Sequence, residues 1–233
     1  MSAFDTLHRF IFANANVRGE LVRLDESLNH IVHSYEYPVQ IQRLLSEMAA
    51  ATSLLTATLK FKGEIALQIQ SKGPVSYAVI NATHDQTLRG VARWDDSLST
   101  LPETFSELLT SAVLVMTITP EEGERYQGVV ALEKPTLAEC LEAYFTQSEQ
   151  LATRVHLMTD MQNPERVKAA GVLLQVLDPS EEAFPFDGRT VFHSMGNTLE
   201  FETRKAGELR DRYLARLARR KERLTAMAGL TGW

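Results

Sequence analysis

Apolar residues recur along this chain with two different periods, and the change from one to the other marks out its elements. Between Val39 and Leu59, the residues Ile41, Leu44, Leu45, Met48, Leu55 and Leu59 fall at helical spacing, which predicts a long helix with one buried face. Thr52, Ser53, Thr56 and Thr58 soften the opposite face. Pro38 suits the opening of that helix, where its missing N–H costs little. Lys62-Gly63 breaks the pattern, and the period then drops to two. Ile65, Leu67 and Ile69 alternate with Glu64, Ala66, Gln68 and Gln70. Lys72-Gly73-Pro74 is a turn signal, Val75, Tyr77 and Val79 read as a second strand, and a third runs from Thr87 to Trp94. A helix feeding three consecutive strands predicts an antiparallel sheet with the helix on its inner face.

The flanking sequence adds hairpins and shorter helices. Leu7 to Phe12 and Glu20 to Leu24 read as two strands joined by a turn over Asn14, Asn16 and Gly19. Asp25 suits the N-cap of a short helix carrying Leu28, Ile31 and Val32. Asp95 to Ser111 is polar and irregular, with one helical turn at Phe105–Leu109. Val113 to Thr119 and Arg125 to Leu132 form a hairpin about Pro120-Glu121-Glu122-Gly123. Thr136 and Glu139 make a capping box for a helix with Leu137, Cys140, Leu141, Tyr144 and Phe145 on one face. Val155 to Met158 and Ala169 to Leu177 close the series as strands. The fold class is therefore α+β: a largely antiparallel sheet with helices packed against it, followed by a C-terminal helical tail.

Charge changes this picture only at the end of the chain. The formal net charge is −6, yet Arg204 to Arg223 carries nine Lys/Arg against three Asp/Glu. An acidic body with a basic tail divides the chain into residues 1–178, a core domain, and residues 179–233, a linker and basic helix with Leu209, Leu214 and Leu217 at roughly helical spacing. No apolar run approaches the ~18 residues of a membrane span. Nor does the N-terminus have a signal pattern, so a cytoplasmic, non-membrane protein is expected.

Candidate chemistry is sparse. His30 and His33 have a spacing that can place two imidazoles on one helix face, but no cysteine or carboxylate completes a metal site nearby. Glu121, Glu122 and Glu124 cluster at a hairpin tip, where solvent keeps carboxylates alike rather than splitting them into acid and base. Cys140 is the single cysteine, so no internal disulfide or cysteine zinc site can form. Its apolar neighbours point to a buried, inert thiol rather than a redox sensor. No phosphate-binding loop and no G-x-S-x-G elbow occurs. No catalytic or metal-binding residue is assigned, and an enzyme is not expected. The basic helix could contact nucleic acid through phosphates, but it has no interleaved aromatics, and a solvated or docked helix is the simpler reading.

Several separated blocks resemble one family. Ala51-Thr-Ser-Leu-Leu-Thr-Ala-Thr-Leu-Lys60, Gly73-Pro74, Ala78-Val-Ile-Asn81 and Arg89-Gly-Val-Ala-Arg93 are similar to the redox-regulated 33 kDa heat-shock chaperones of the cytoplasm. So are Thr117-Ile-Thr-Pro120, Gly123 to Gly128, Leu137 to Arg154 and Ala169 to Leu177, in the same order. The resemblance runs from about Phe4 to Leu177 and fades near Asp178. It implies an ATP-independent holdase that binds unfolding proteins under heat and oxidative stress and dimerises when active. It also implies a helical linker and a zinc domain whose four cysteines, as C-x-C and C-x-x-C, form the redox switch. Neither motif occurs in this sequence. The expectation is a chaperone core without metal or cofactor, its activity insensitive to peroxide and reductant. Its expected partners are unfolded clients and, by chain swapping, a second copy of itself; its client-contact residues are not assigned.

Overall fold

The computed structural model describes residues 5–12 and 16–176. Within these residues the order is β1 (Thr6–Ile11), β2 (Val17–Leu24), α1 (Glu26–Val32), α2 (Val39–Ala57), β3 (Gly63–Gln70), β4 (Val75–Thr83), β5 (Leu88–Trp94), α3 (Phe105–Leu108), β6 (Val113–Pro120), β7 (Tyr126–Ala131), α4 (Leu137–Gln147), β8 (Thr153–Asp160) and β9 (Lys168–Val176). The proposed turn at Asn14 and everything from residue 177 on, including the basic helix Arg204–Arg223, lie outside the described residues.

The strands form two antiparallel sheets rather than one. β1-β2-β9-β8 make a four-stranded sheet and β5-β4-β3-β6-β7 a five-stranded one. Strands from the two ends of the sequence meet in the first: Val22 stands opposite Gly171 and Leu24 opposite Ala169. The helix α2 lies between the sheets, against β3, β4 and β5 on one side and β2, β8 and β9 on the other.

This position explains the largest departure from the sequence reading. A helix between two sheets has no solvent face, and every residue from Met48 to Ala57 is buried. Thr52, Ser53 and Thr56 are therefore interior residues, and their hydroxyls are satisfied locally. Thr52 donates to the Met48 carbonyl at 2.6 Å and Thr56 to that of Thr52 at 2.7 Å, while Ser53 donates to Gln86 Oε1 at 2.5 Å. Ala49, Ala50 and Ala51 keep the helix thin where the sheets close on it. Gly171 does the same from β9: a Cβ there would lie 2.8 Å from Leu54 Cδ1.

Smaller departures have local causes. Helix α2 ends at Ala57, before Lys62, and Pro38 is its N-cap residue. Gly19 lies inside β2 rather than in a turn, opposite Phe10, whose ring occupies the space a Cβ would need. Asp25 stands at the N-cap of α1 but makes no side-chain cap. Asp5 supplies that bond from a distance, accepting from the Asp25 N–H at 2.6 Å and from the Ser27 N–H at 2.9 Å. Burial works against the Asp5 carboxylate, but the Ser27 hydroxyl and the backbone N–H groups outweigh it and hold its pKa below the ordinary value. The Asp25 carboxylate is free to pair with Arg166, Nε to Oδ1 at 2.8 Å and Nη2 to Oδ2 at 3.0 Å.

Candidate functional site

The residues singled out for catalytic or metal chemistry do not converge. His30 is exposed on α1, and His33 Nε2 lies 3.1 Å from Asn29 Oδ1, one turn back. Among the described residues no group of three or more His, Cys, Asp and Glu could hold a metal ion. Glu121, Glu122 and Glu124 are exposed on the β6–β7 turn, with Glu121 Oε1 3.9 Å from His84 Nδ1. Cys140 is buried on α4 beside Leu137, Leu141 and Tyr144. Burial pushes its thiol pKa up, and its Sγ lies 3.8 Å from the Lys134 carbonyl.

What the fold does build is an open apolar face. The inward phase of the five-stranded sheet, with Ile65, Leu67, Ile69, Ile80 and Leu114, packs into the core with α2. The opposite phase is mixed, with apolar residues concentrated in one row and polar ones on either side of it. In register across the five strands, Val91, Val79, Gln68, Val115 and Val129 form one row. The next row is Arg93, Tyr77, Gln70, Val113 and Ala131, and on the other side Arg89, Asn81, Ala66, Thr117 and Gln127. Val129 is 63% exposed and Val91 44% exposed, so the ends of the valine row stand in solvent. An uncharged row of four valines, interrupted on the central strand by Gln68, thus crosses the sheet.

The two edges of this sheet differ. On β5, the Ala92 N–H points away from β4 and donates to the Tyr37 hydroxyl at 3.3 Å, and α1 packs alongside. Antiparallel ladders alternate their hydrogen-bonded pairs. The Leu132 N–H donates to Ala112 O at 3.0 Å, which places Gln127, Val129 and Ala131 in the phase whose backbone groups face outward. Among the described residues nothing pairs with those groups, so β7 is an open edge. The end of β7 is nevertheless anchored: the Tyr126 and Tyr144 hydroxyls lie 3.0 Å apart and donate to Glu149 Oε1 at 3.0 and 2.7 Å. In the other sheet, edge strand β8 is capped as β5 is, the Val155 N–H donating to Glu142 Oε1 at 2.9 Å, with Arg154 paired to the same carboxylate.

The sequence did carry a signal for this face. Val113-Leu114-Val115-Met116 is a continuous apolar run, and a strand apolar in both phases has two faces to account for. Alternation alone, the feature used to find the strands, hides it.

The fold and these blocks can be set against known proteins. The family model described as Hsp33 protein matches residues 5–227. The chain belongs to the Hsp33 family. The Hsp33 match runs past Asp178, where the recognisable blocks end. The 33 kDa chaperonin of Pseudoalteromonas atlantica is 65% identical over 181 residues, covering 78% of this chain and 61% of the relative. That of Shewanella sediminis is 57% identical over 177 residues, covering 76% of this chain and 59% of the relative. A solved Hsp33 structure from Thermotoga maritima superposes with a TM-score of 0.65 at 20% identity, over 77% of this chain and 63% of that one. At that identity the likeness speaks for the fold, which is the α+β arrangement of two antiparallel sheets about helices. The chain spans about three fifths of the length of these Hsp33 relatives.

Proposed function

We propose that this chain is a molecular chaperone of the ATP-independent holdase type, and that it holds unfolding polypeptides on the open face of the five-stranded sheet. The observation that carries the reading is the row of four valines about Gln68, exposed at Val91 and Val129 and ending at a strand edge unpaired among the described residues. An unfolding client exposes the complementary surface: apolar side chains on an extended backbone. Each Å² of apolar surface removed from water is worth about 25 cal/mol before ordering costs, so contact over several hundred Å² is enough to hold a client reversibly. The names of the relatives, 33 kDa chaperonins, support the same reading.

The 233 residues hold one cysteine, Cys140, and it is buried. Client protection by these residues therefore does not pass through thiol chemistry and is the same in reductant and in peroxide. The setting is the cytoplasm under heat or oxidative stress, and association of two copies accompanies activity.

The test is light scattering from a thermally unfolding client, with the protein and with Val91→Asp and Val129→Asp variants. Both positions are exposed, so the variants are expected to keep their circular dichroism and melting temperature. Suppression of scattering by the parent chain in both redox conditions, lost in the double variant, is the expected result. Undiminished suppression by the well-folded double variant would show that clients bind elsewhere.

A further inference from the structure

The open face is apolar but not electrically neutral at its rim. The outward phase of β5 reads Arg89, Val91, Arg93, with all three exposed. The Arg89 side chain is 73% exposed, and its neighbour is Glu64, Oε2 to Nη2 at 3.6 Å, on the corner of the same face. Arg93 has no ionic partner among the described residues. The three inner strands present Tyr77, Val79, Gln68, Val113 and Val115, none of them charged, between this rim and β7. Exposed acids also flank the ends of β5, Asp85 on the β4–β5 turn and Asp95 and Asp96 after Trp94, while Glu121, Glu122 and Glu124 lie on the β6–β7 turn at the opposite edge of the sheet. Within the strands, the outward phase thus carries two arginines, both on β5, against one acid, Glu64, which already stands beside Arg89.

We propose that this face selects among unfolded segments, preferring those whose apolar run is flanked on one side by Asp or Glu, and that Arg89 and Arg93 are the residues that select. This rests on the reading of the face as the client surface. An extended segment lying across the strands along the valine row places one end over β5. There a carboxylate meets Arg93, which has no ionic partner among the described residues, and Arg89, which it shares with Glu64, while the apolar run covers Val79, Val115 and Val129. A lysine at the same end meets like charge. Exposed pairs of this kind contribute modestly to affinity but discriminate between partners and fade with salt.

Three labelled peptides test it, sharing one run of Val, Leu and Phe and carrying Asp-Glu, Gln-Gln or Lys-Lys at one end. Anisotropy with the full chain at low salt should rank acidic above neutral above basic, with steps of about threefold to tenfold. High salt should compress the ranking. Arg89→Glu combined with Arg93→Glu should reverse it, and this variant also separates the β5 rim from the basic segment at Arg204–Arg223. Equal affinities for the three peptides, all lost in Val129→Asp, would overturn the charge preference and leave the client face standing. A ranking unchanged by the double reversal would also overturn it. Binding of all three peptides untouched by Val129→Asp would remove the client face and the preference together.

Discussion

Glu20 sits in the phase of β2 that faces α2, the same phase as the fully buried Val22 and Leu24. Burial raises its pKa from 4.5 to about 7, against the opposing charges of Arg18 and Arg9. Arg18 Nε lies 3.9 Å from the carboxylate, and the Arg18 guanidinium is also engaged by Gln175 Oε1 at 2.6 Å. Glu20 Oε2 has no hydrogen-bond partner among the described residues. The folded chain thus holds the Glu20 proton more tightly than the unfolded chain does. Stability should therefore fall as pH rises from about 4.5 to about 7 and level off above that. Glu20→Gln should flatten this slope and add on the order of 1–3 kcal/mol at neutral pH. Urea unfolding across that pH range measures it, and an unchanged slope in the variant would exclude Glu20 as its source. Cys140 is the second case. With no exposed surface and a thiol pushed up by burial, it should react with a thiol reagent only as fast as the protein opens, so native labelling should be slow and urea should release it. The apolar neighbours of Cys140 were legible as a helix face. The ionisation of Glu20 was not, because its position in β2 says nothing of which sheet face is covered.

Helices and strands differ in how much of their environment the sequence exposes. Helix α4 starts where Thr136 and Glu139 place it. The Thr136 hydroxyl accepts from the Glu139 N–H at 3.2 Å and donates to the Glu139 carboxylate at 2.9 Å. Thr136→Ala should cost about 1 kcal/mol, the usual value of such a cap. Leu45→Ala in α2 should cost roughly 2–5 kcal/mol, since Leu45 is fully enclosed and neither sheet can collapse into the space. Chemical denaturation of the two variants gives the comparison, and similar losses would mean that α2 is less tightly held than the packing implies. Local chemistry of the kind seen at Thr136 is written within a few residues and can be read there. The polar residues of α2 could not be placed the same way. Thr52 and Thr56 bond to carbonyls one turn back whether they face water or a sheet, so their identity is compatible with both.

At the scale of the molecule, the sequence shows the five-stranded sheet far better than the four-stranded one. The strands β3 to β5 are neighbours in sequence and in space, and each hairpin announces its partner. The pairing of β2 with β9 joins distant segments, and no local signal connects Val22 to Gly171. Without that second sheet, α2 has a free side on paper and one layer accounts for the chain. The open face was missed for a related reason: which phase of a strand is covered depends on what the rest of the chain supplies.

The difference between the two edges of the five-stranded sheet has a further consequence. A sheet open at both ends can recruit copies of itself indefinitely, which is how edge-to-edge contact grows into fibres. Here β5 is stopped by the Tyr37 hydroxyl and α1, and only β7 can be extended. Growth from one end alone closes after a single addition. Within this sheet, edge-to-edge pairing is thereby limited to β7, so the five-stranded sheet can take on one further strand and no more from that side.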